Sequence, residues 1–189
     1  MSIVSILIFA NVAAFILQSN MDPELAASFA LWPLGGGFTP WQLVSYAFLH
    51  ANAGHLAVNM FGLWMFGRDV EALLGRTAML KLYVVSLLSA GVTQLVVAYA
   101  SDTHYPTVGA SGGVFGILLA YAMYFPRRIV VLLFPPIPMP AWLFISLYAV
   151  LELALGVMGT DAGIAHFAHL GGMAGAFFML HRMGRPAHP

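Results

Sequence analysis

Six apolar segments divide this 189-residue chain into hydrophobic runs separated by polar or proline-rich connections. An apolar helix needs about 20 residues to cross a hydrocarbon core about 30 Å thick, and most of these segments approach that length. Only 7% of the residues are charged, whereas a soluble domain carries about 25%, so a soluble protein is excluded. The sequence therefore predicts an all-α membrane protein with six transmembrane helices. The predicted spans are residues 3–17, 54–71, 79–98, 111–125, 141–157 and 164–181.

The connection between the first two spans, residues 19–52, is the longest. Its Pro and Gly residues prevent one continuous helix. Its aromatic rings favour the membrane interface, where amphipathic side chains settle. We expect a long, membrane-associated first loop that lies on or partly in the outer leaflet, and we interpret residues 1–189 as a single polytopic membrane domain. The aromatic residues of the loop are Trp32, Phe38, Trp41, Tyr46 and Phe48.

The positive charges indicate how the chain is oriented. With the N-terminus inside, all 7 Lys and Arg residues fall in the inside connections, at the span ends next to them, or in the C-terminal tail, and the outside loops hold none. This distribution satisfies the positive-inside rule. We therefore predict that the N- and C-termini are cytoplasmic, and we assign the protein to the bacterial cell (inner) membrane.

Composition excludes several further classes. A formal net charge of zero argues against a nucleic-acid partner, so we expect none. The chain has no cysteine, which rules out disulfides, thiolate chemistry and Cys-ligated metals. We predict no cofactor and no metal, and we expect the lipid bilayer to be the protein's surroundings.

A few polar residues within the spans lie at similar predicted depths. Ser111 precedes the inside basic residues of its span by 16 positions, and His55 and His169 precede theirs by 13. These separations correspond to roughly 24 Å and 20 Å of helix. Asn59 lies one turn from His55 on the same helix face. Because polar groups inside a membrane are costly and usually functional, we expect these four side chains to meet in one buried cavity that opens outward.

The residue types in this cavity are typical of acyl transfer. Ser111, flanked by glycines where a loop becomes a helix, is the candidate nucleophile, and His169 is the candidate general base. His55, Asn59 and the backbone beside Ser111, at Ala110, could stabilise an oxyanion. We find no acid placed to orient His169, so a dyad fits better than a triad. The fourth helix has glycines at i, i+4 positions, Gly112 and Gly116, and the sixth has Gly171 and Gly175. This pattern predicts that the two helices approach closely.

Other interpretations of the same residues stay open. His166, one turn before His169, is a rival general base. Glu152 in the fifth span either faces a water-filled cavity or is protonated, and its role is unexplained. His50, His55, His166 and His169 could instead be the ligands of a metal or haem carrier. The Gly-x-Ser-x-Gly pattern around the candidate nucleophile also occurs in α/β-hydrolases, but the apolar flanks do not fit a soluble sheet.

Several motifs in this chain resemble those of the rhomboid intramembrane serine proteases. Residues 109–112 (Gly-Ala-Ser-Gly) are similar to the family's Gly-x-Ser-Gly motif, and residues 168–172 (Ala-His-Leu-Gly-Gly) to its Ala-His-x-x-Gly motif. Residues 55–59 are similar to its His-x-x-x-Asn motif, to which the family assigns oxyanion stabilisation. His50 matches a further histidine upstream, and residues 67–75 resemble a Gly-x-x-x-Glu-x-x-x-Gly helix-packing motif around Glu71. The resemblance covers residues 41–180, in order.

The resemblance implies a six-helix rhomboid-like bundle and an endopeptidase that cleaves transmembrane segments of other membrane proteins, with Ser111 and His169 as a dyad. The alternative is a catalytically inactive rhomboid-like protein that binds membrane helices. The fifth helix and residues 158–163 are the expected gate and lid. Gln42 stands where many members have Arg, which puts the anchoring of the first loop in doubt, and Phe115 stands where some have Tyr.

Overall fold

The computed structural model describes residues 1–102, 104–131, 136–159 and 165–184, and it is mostly helical. Helix α1 spans Ile3–Ser19. The long connection after it contains two short helices, α2 Pro23–Ala27 and α3 Gln42–Ser45, and a 3₁₀ turn at Tyr46–Phe48. The later helices are α4 Ala53–Leu74, α5 Arg76–Ala100, α6 Ser111–Tyr124, α7 Ala141–Met158 and α8 His166–Met183. Strands β1 Ile129–Val131 and β2 Pro138–Pro140 form an antiparallel hairpin between α6 and α7, with Ile129 opposite Pro140.

Each of the six segments predicted as spans contains one long helix of similar bounds. By length and composition, α5 and α7 could each cross a bilayer, while α1 and α6 are shorter apolar helices. Helices α4 and α8 carry several histidines and charged residues, which lower their hydropathy. The structure therefore gives two candidate spans by this criterion among the residues it describes.

Helices α5, α6 and α8 pack closely because small residues lie where they cross. A methyl group added to Gly172 of α8 would overlap the backbone of Gly112 on α6, and one added to Gly116 of α6 would overlap Ser86 of α5. The pairing differs from the sequence prediction in one respect. Gly171 and Gly175 of α8 face Thr93 and Ser89 of α5, because they lie on a different face of the helix from Gly172. The close contact of α6 with α8 is therefore made by Gly112 and Gly172.

The first loop is anchored through the amide of Gln42. Its Oε1 accepts hydrogen bonds from the backbone N–H groups of Trp32 (3.1 Å) and Thr39 (3.2 Å), and its Nε2 donates to the carbonyl of Ser28 (3.0 Å). The Gln42 side chain is buried, so these bonds satisfy polar groups that water cannot reach. The neutral amide of Gln42 thus anchors this loop, at a position where many rhomboid proteins have Arg.

The buried carboxylate of Glu71 joins the end of α4 to the start of α1. Its two oxygens accept the backbone N–H groups of Ile3 at 2.7 Å and Val4 at 2.9 Å. These N–H groups belong to the first turn of α1 and have no carbonyl partner inside that helix. An anion at a helix N-terminus also interacts favourably with the helix dipole. Glu71 therefore has a structural role.

Candidate active site

Three helix N-termini converge at one end of the bundle. Ser111 is the first residue of α6, His55 lies in the first turn of α4, and His169 lies in the first turn of α8. The positive ends of three helix dipoles consequently face the same region, and an anion that develops there is favoured. The Lys and Arg residues within the described ranges lie at the opposite ends of these helices, at the start of α5, or in the connection after α6. They are Arg68, Arg76, Lys81, Arg127, Arg128 and Arg182.

The turn before α6 positions the candidate nucleophile. Gly109 has a φ of 130°, a conformation that residues with a side chain rarely adopt, and its N–H donates to the carbonyl of Tyr46 at 2.9 Å. A Cβ on Gly109 would lie 2.8 Å from Cε1 of His55 and 3.7 Å from Oγ of Ser111. Glycine is therefore required both by the backbone conformation and by the space beside His55. The same geometry places the His55 ring next to Ser111.

The structure brings Ser111 and His169 together. Oγ of Ser111 lies 2.8 Å from Nε2 of His169, which is hydrogen-bond distance. The His169 ring stacks on Phe115 with 4.2 Å between ring centroids and an interplanar angle of 5°. Phe115 also stacks on Tyr148 of α7, at 5.2 Å and 7°. Phenylalanine thus holds the plane of the imidazole by ring contact alone.

The expectation that no acid lies beside His169 is wrong. Oε2 of Glu152 on α7 lies 2.9 Å from Nδ1 of His169 and 2.7 Å from Nδ1 of His166, and all three side chains are buried. Glu152 is the one charged residue of an otherwise apolar α7, and an isolated charge of this kind was the signal in the sequence. The sequence does not identify its partner, because it does not show which faces of α7 and α8 are in contact. His166, the rival base, directs Nδ1 to Glu152.

The candidate oxyanion side chains, His55 and Asn59, lie in the first two turns of α4. Asn52 caps this helix by accepting the N–H of His55 at 2.8 Å. Asn59, one turn further, is buried and donates one amide hydrogen to the carbonyl of His55 at 3.0 Å. An amide carries two such hydrogens, so Asn59 has a second one to offer. Ala110, fully buried, caps α6, whose first N–H groups have no partner within the helix.

His50 packs against His55 from the first loop, with 5.1 Å between ring centroids in an edge-to-face arrangement. Burial, together with the neighbouring His55, lowers the pKa of His50 to about 4. His50 is therefore neutral at physiological pH. Its backbone makes a reciprocal pair with the side chain of Gln18 at the end of α1, at 2.9 and 3.0 Å. These contacts favour a structural role for His50.

The four histidines do not form one ligand set. Among the described residues, the group suited to a metal ion is Glu152, His166 and His169, whose ligand atoms lie within 4.8 Å of one another. Two of these ligand atoms would be the Nδ1 atoms that are hydrogen-bonded to the carboxylate. A metal on Nδ1 of His169 would leave the ring proton on Nε2, which faces Ser111. Metal binding here and base function at His169 are thus incompatible.

Comparison with known proteins shows to which family this chain belongs. Residues 37–185 match the family model of the rhomboid domain. The chain belongs to the rhomboid family, and one of its relatives is named as a rhomboid protease. It is 29% identical over 148 residues to the rhomboid protease GluP of Bacillus subtilis, an alignment that covers 77% of this chain and 26% of the relative.

Two further relatives are eukaryotic. Rhomboid protein 1, mitochondrial, of Saccharomyces cerevisiae is 31% identical over 133 residues, covering 69% of this chain and 38% of the relative. Presenilin-associated rhomboid-like protein A, mitochondrial, of Danio rerio is 34% identical over 135 residues, covering 69% and 34%. The matched part of this chain thus spans about a quarter to two fifths of the length of these curated relatives. The prediction of a bacterial cell membrane is wrong by these comparisons, because relatives with such similarity are named as mitochondrial proteins.

Proposed function

We propose that this chain is an intramembrane serine endopeptidase in which Ser111 is the nucleophile and His169 the general base. The observation that carries the proposal is the hydrogen bond of 2.8 Å between Oγ of Ser111 and Nε2 of His169. A serine hydroxyl is a weak nucleophile unless an adjacent base removes its proton, and this geometry supplies that base. The rhomboid family and the name of the Bacillus relative as a protease agree with this activity.

The reaction follows from these two side chains. Oγ of Ser111 attacks the carbonyl carbon of the scissile peptide bond while its proton passes to Nε2 of His169. The C–N bond then breaks, and the imidazolium returns the proton to the departing amine. Water attacks the resulting acyl-enzyme in the same way and releases the second product. The backbone N–H groups around Ala110, together with His55 and Asn59, stabilise the oxyanion that forms in each step.

The proposed oxyanion role of Asn59 and His55 can be tested by kinetics. If these groups stabilise charge that exists only in the transition state, Asn59→Ala and His55→Ala should lower kcat while KM changes little. We expect a loss on the order of 10²-fold or less for each, since backbone donors remain. Asn52→Ala, which weakens the cap of the same helix, is the control for damage to α4. An Asn59→Ala enzyme with wild-type kcat would remove Asn59 from the mechanism.

Substrates of such an enzyme are transmembrane segments of other membrane proteins. A helix in lipid hides its carbonyl groups in hydrogen bonds, so a substrate must unwind locally before Ser111 can attack. We propose entry beside α7, which contacts the rest of the bundle over a limited face: Val150, Leu151 and Leu153 are exposed on its outer side. Of the expected lid, residues 160–163 lie outside the described residues.

We also propose that all six long helices cross the bilayer, as one polytopic domain over residues 1–189. The basic residues then lie on one side of the membrane and the site opens toward the other. Because the chain has no cysteine, single cysteines at Asp22 and Arg127 can be labelled in an otherwise silent background. An impermeant thiol reagent applied to sealed vesicles should label these two positions from opposite sides. Labelling of both from the same side would contradict the six-span arrangement.

A direct assay distinguishes this enzyme from an inactive rhomboid-like protein that only binds membrane helices. The purified chain is reconstituted in proteoliposomes with single-span substrates whose helices contain small and helix-weakening residues. We expect cleavage within or next to the span by the wild-type protein and none by Ser111→Ala. Co-purification of uncleaved substrates with both proteins, without any product, would favour the inactive binder. The presence of both Ser111 and His169 argues against that alternative.

A further inference from the structure

Glu152 occupies a position that the proposed Ser–His chemistry does not use. It is buried in α7 with 5% of its surface exposed, while its neighbours Leu151 and Leu153 are 46% and 50% exposed. An ionised carboxylate inside a membrane helix is costly because it loses its hydration. A charge kept there, and turned away from the exposed side of the helix, requires a compensating partner.

The partner is the general base itself. Oε2 of Glu152 lies 2.9 Å from Nδ1 of His169, while Nε2 of the same ring lies 2.8 Å from Oγ of Ser111. We propose that Glu152 is a positioning residue that converts the Ser–His pair into a Ser–His–Glu triad. This inference rests on the proposed function and extends it beyond a dyad.

The first consequence of this contact concerns the tautomer of His169. An ionised carboxylate accepts hydrogen bonds and donates none, so the hydrogen of the neutral ring lies on Nδ1. The lone pair is then on Nε2, where it can take the proton of Ser111. Stacking on Phe115 fixes the plane of the ring, and Glu152 fixes its rotation within that plane.

The second consequence concerns charge. When Nε2 of His169 accepts the proton from Ser111, the ring becomes an imidazolium, and this side chain is buried. The carboxylate of Glu152 lies at its other nitrogen and stabilises the new positive charge. The proton later moves from Nε2 to the leaving amine and is never transferred to Glu152. The electron pair that attacks the substrate comes from Oγ of Ser111, so the step balances without another reactant.

His166 completes the arrangement as a second donor to the same carboxylate oxygen, at 2.7 Å. Its Nε2 is buried and has no hydrogen-bond partner among the described residues, a position that suits an unprotonated nitrogen better than an N–H group. The ring proton of His166 therefore lies on Nδ1 and points to Glu152. This second bond holds the carboxylate in place beside His169.

A purely structural role for Glu152, as a bridge between α7 and α8, makes a different prediction. Glutamine has nearly the same shape and its amide oxygen can accept both N–H groups, so a structural bridge tolerates Glu152→Gln better than the shorter Glu152→Asp. A triad requires the negative charge, so it tolerates Asp better than Gln. An amide can also turn its NH₂ toward His169 and stabilise the inactive tautomer.

The test compares the wild-type chain with Glu152→Asp, Glu152→Gln and His166→Ala. The readouts are kcat and KM for a transmembrane substrate and the rate at which a fluorophosphonate modifies Ser111, each expressed per folded molecule after size-exclusion chromatography. We expect kcat and the labelling rate of Glu152→Gln to fall about 10²–10⁴-fold with KM little changed, and those of Glu152→Asp to fall less. His166→Ala should lose about 10-fold or less, because His169 keeps its own bond to the carboxylate.

The order of the kcat values distinguishes a triad from a structural bridge. The order wild type, Asp, Gln in kcat supports the triad. The order wild type, Gln, Asp, or a Gln variant with wild-type kcat, overturns it and leaves Glu152 as a structural bridge. Should Glu152→Gln fail to fold, a Glu152→Asp enzyme with full folding but more than 10⁴-fold loss would equally overturn the proposal. A wild-type protein that neither cleaves substrate nor reacts at Ser111 would instead refute the proposed function.

Discussion

Ser111→Ala and His169→Ala should each abolish cleavage, with a loss on the order of 10⁶-fold in kcat. The double variant should be no worse than either single one, because a base that acts only by activating Ser111 has nothing left to do once the hydroxyl is gone. The physical basis is the single hydrogen bond of 2.8 Å that joins the two side chains. The measurement is the rate of product formation in proteoliposomes with each variant at the same protein-to-lipid ratio.

Two exposed residues provide matched controls for these substitutions. Ser146 on α7 donates its hydroxyl to the carbonyl of Trp142 within its own helix, and His104 has 82% of its side chain exposed. Ser146→Ala and His104→Ala should retain wild-type rates. Each inactive variant must also purify as a single species with a normal melting temperature, since His169 is buried. Losses that multiply in the Ser111→Ala, His169→Ala double variant would show that the two residues act independently.

Gly172→Ala should greatly reduce the proposed activity, although this residue lies outside the proposed catalytic pair. The added methyl group would overlap the backbone of Gly112, which cannot move aside as a flexible side chain can. Helix α8 must therefore shift from α6 by about 1 Å, and a displacement of that size costs roughly 10²-fold in rate when it misplaces reacting groups. Overpacking of this kind also costs about 1–3 kcal/mol of stability. We expect kcat to fall at least 10²-fold and the melting temperature to drop.

Gly62→Ala is the matched control for this prediction. Gly62 also lies within a helix, α4, but a methyl group there meets only the terminal methyl of Val114, at 3.1 Å. That side chain can adjust by a few tenths of an ångström, so we expect nearly normal activity and melting temperature. If Gly172→Ala were as active as Gly62→Ala, the close contact between α6 and α8 would not be what holds His169 against Ser111.

The bounds of the long helices could be predicted because local chemistry determines them. Apolar runs end at clusters of Pro, Gly or polar residues, and Ser111 follows a glycine whose positive φ starts a new helix. The meeting of Ser111, His169 and His55 could also be anticipated. Lys and Arg residues mark the same end of several apolar segments, and positions that precede them by similar numbers of helical residues lie at similar depths.

The rotation of one helix against another could not be predicted in the same way. The spacing of Gly171 and Gly175 predicts close packing against α6, but in the folded structure these two glycines face α5, and Gly172 is the one that faces α6. The same limitation hid the partner of Glu152, because depth alone does not say which way a side chain points. Gln42 departs from the family pattern in the sequence, and its bonds to distant backbone groups of the loop depend on tertiary structure.

The proposal that Ser111 is a nucleophile activated by His169 is tested most directly by covalent labelling. The wild-type protein is treated in detergent with a fluorophosphonate, digested, and examined by mass spectrometry to locate the modified residue. We predict modification at Ser111 alone, its loss in His169→Ala, and its retention in Ser146→Ala. Absence of labelling in the folded wild-type protein, or labelling of Ser111 that does not depend on His169, would contradict the account.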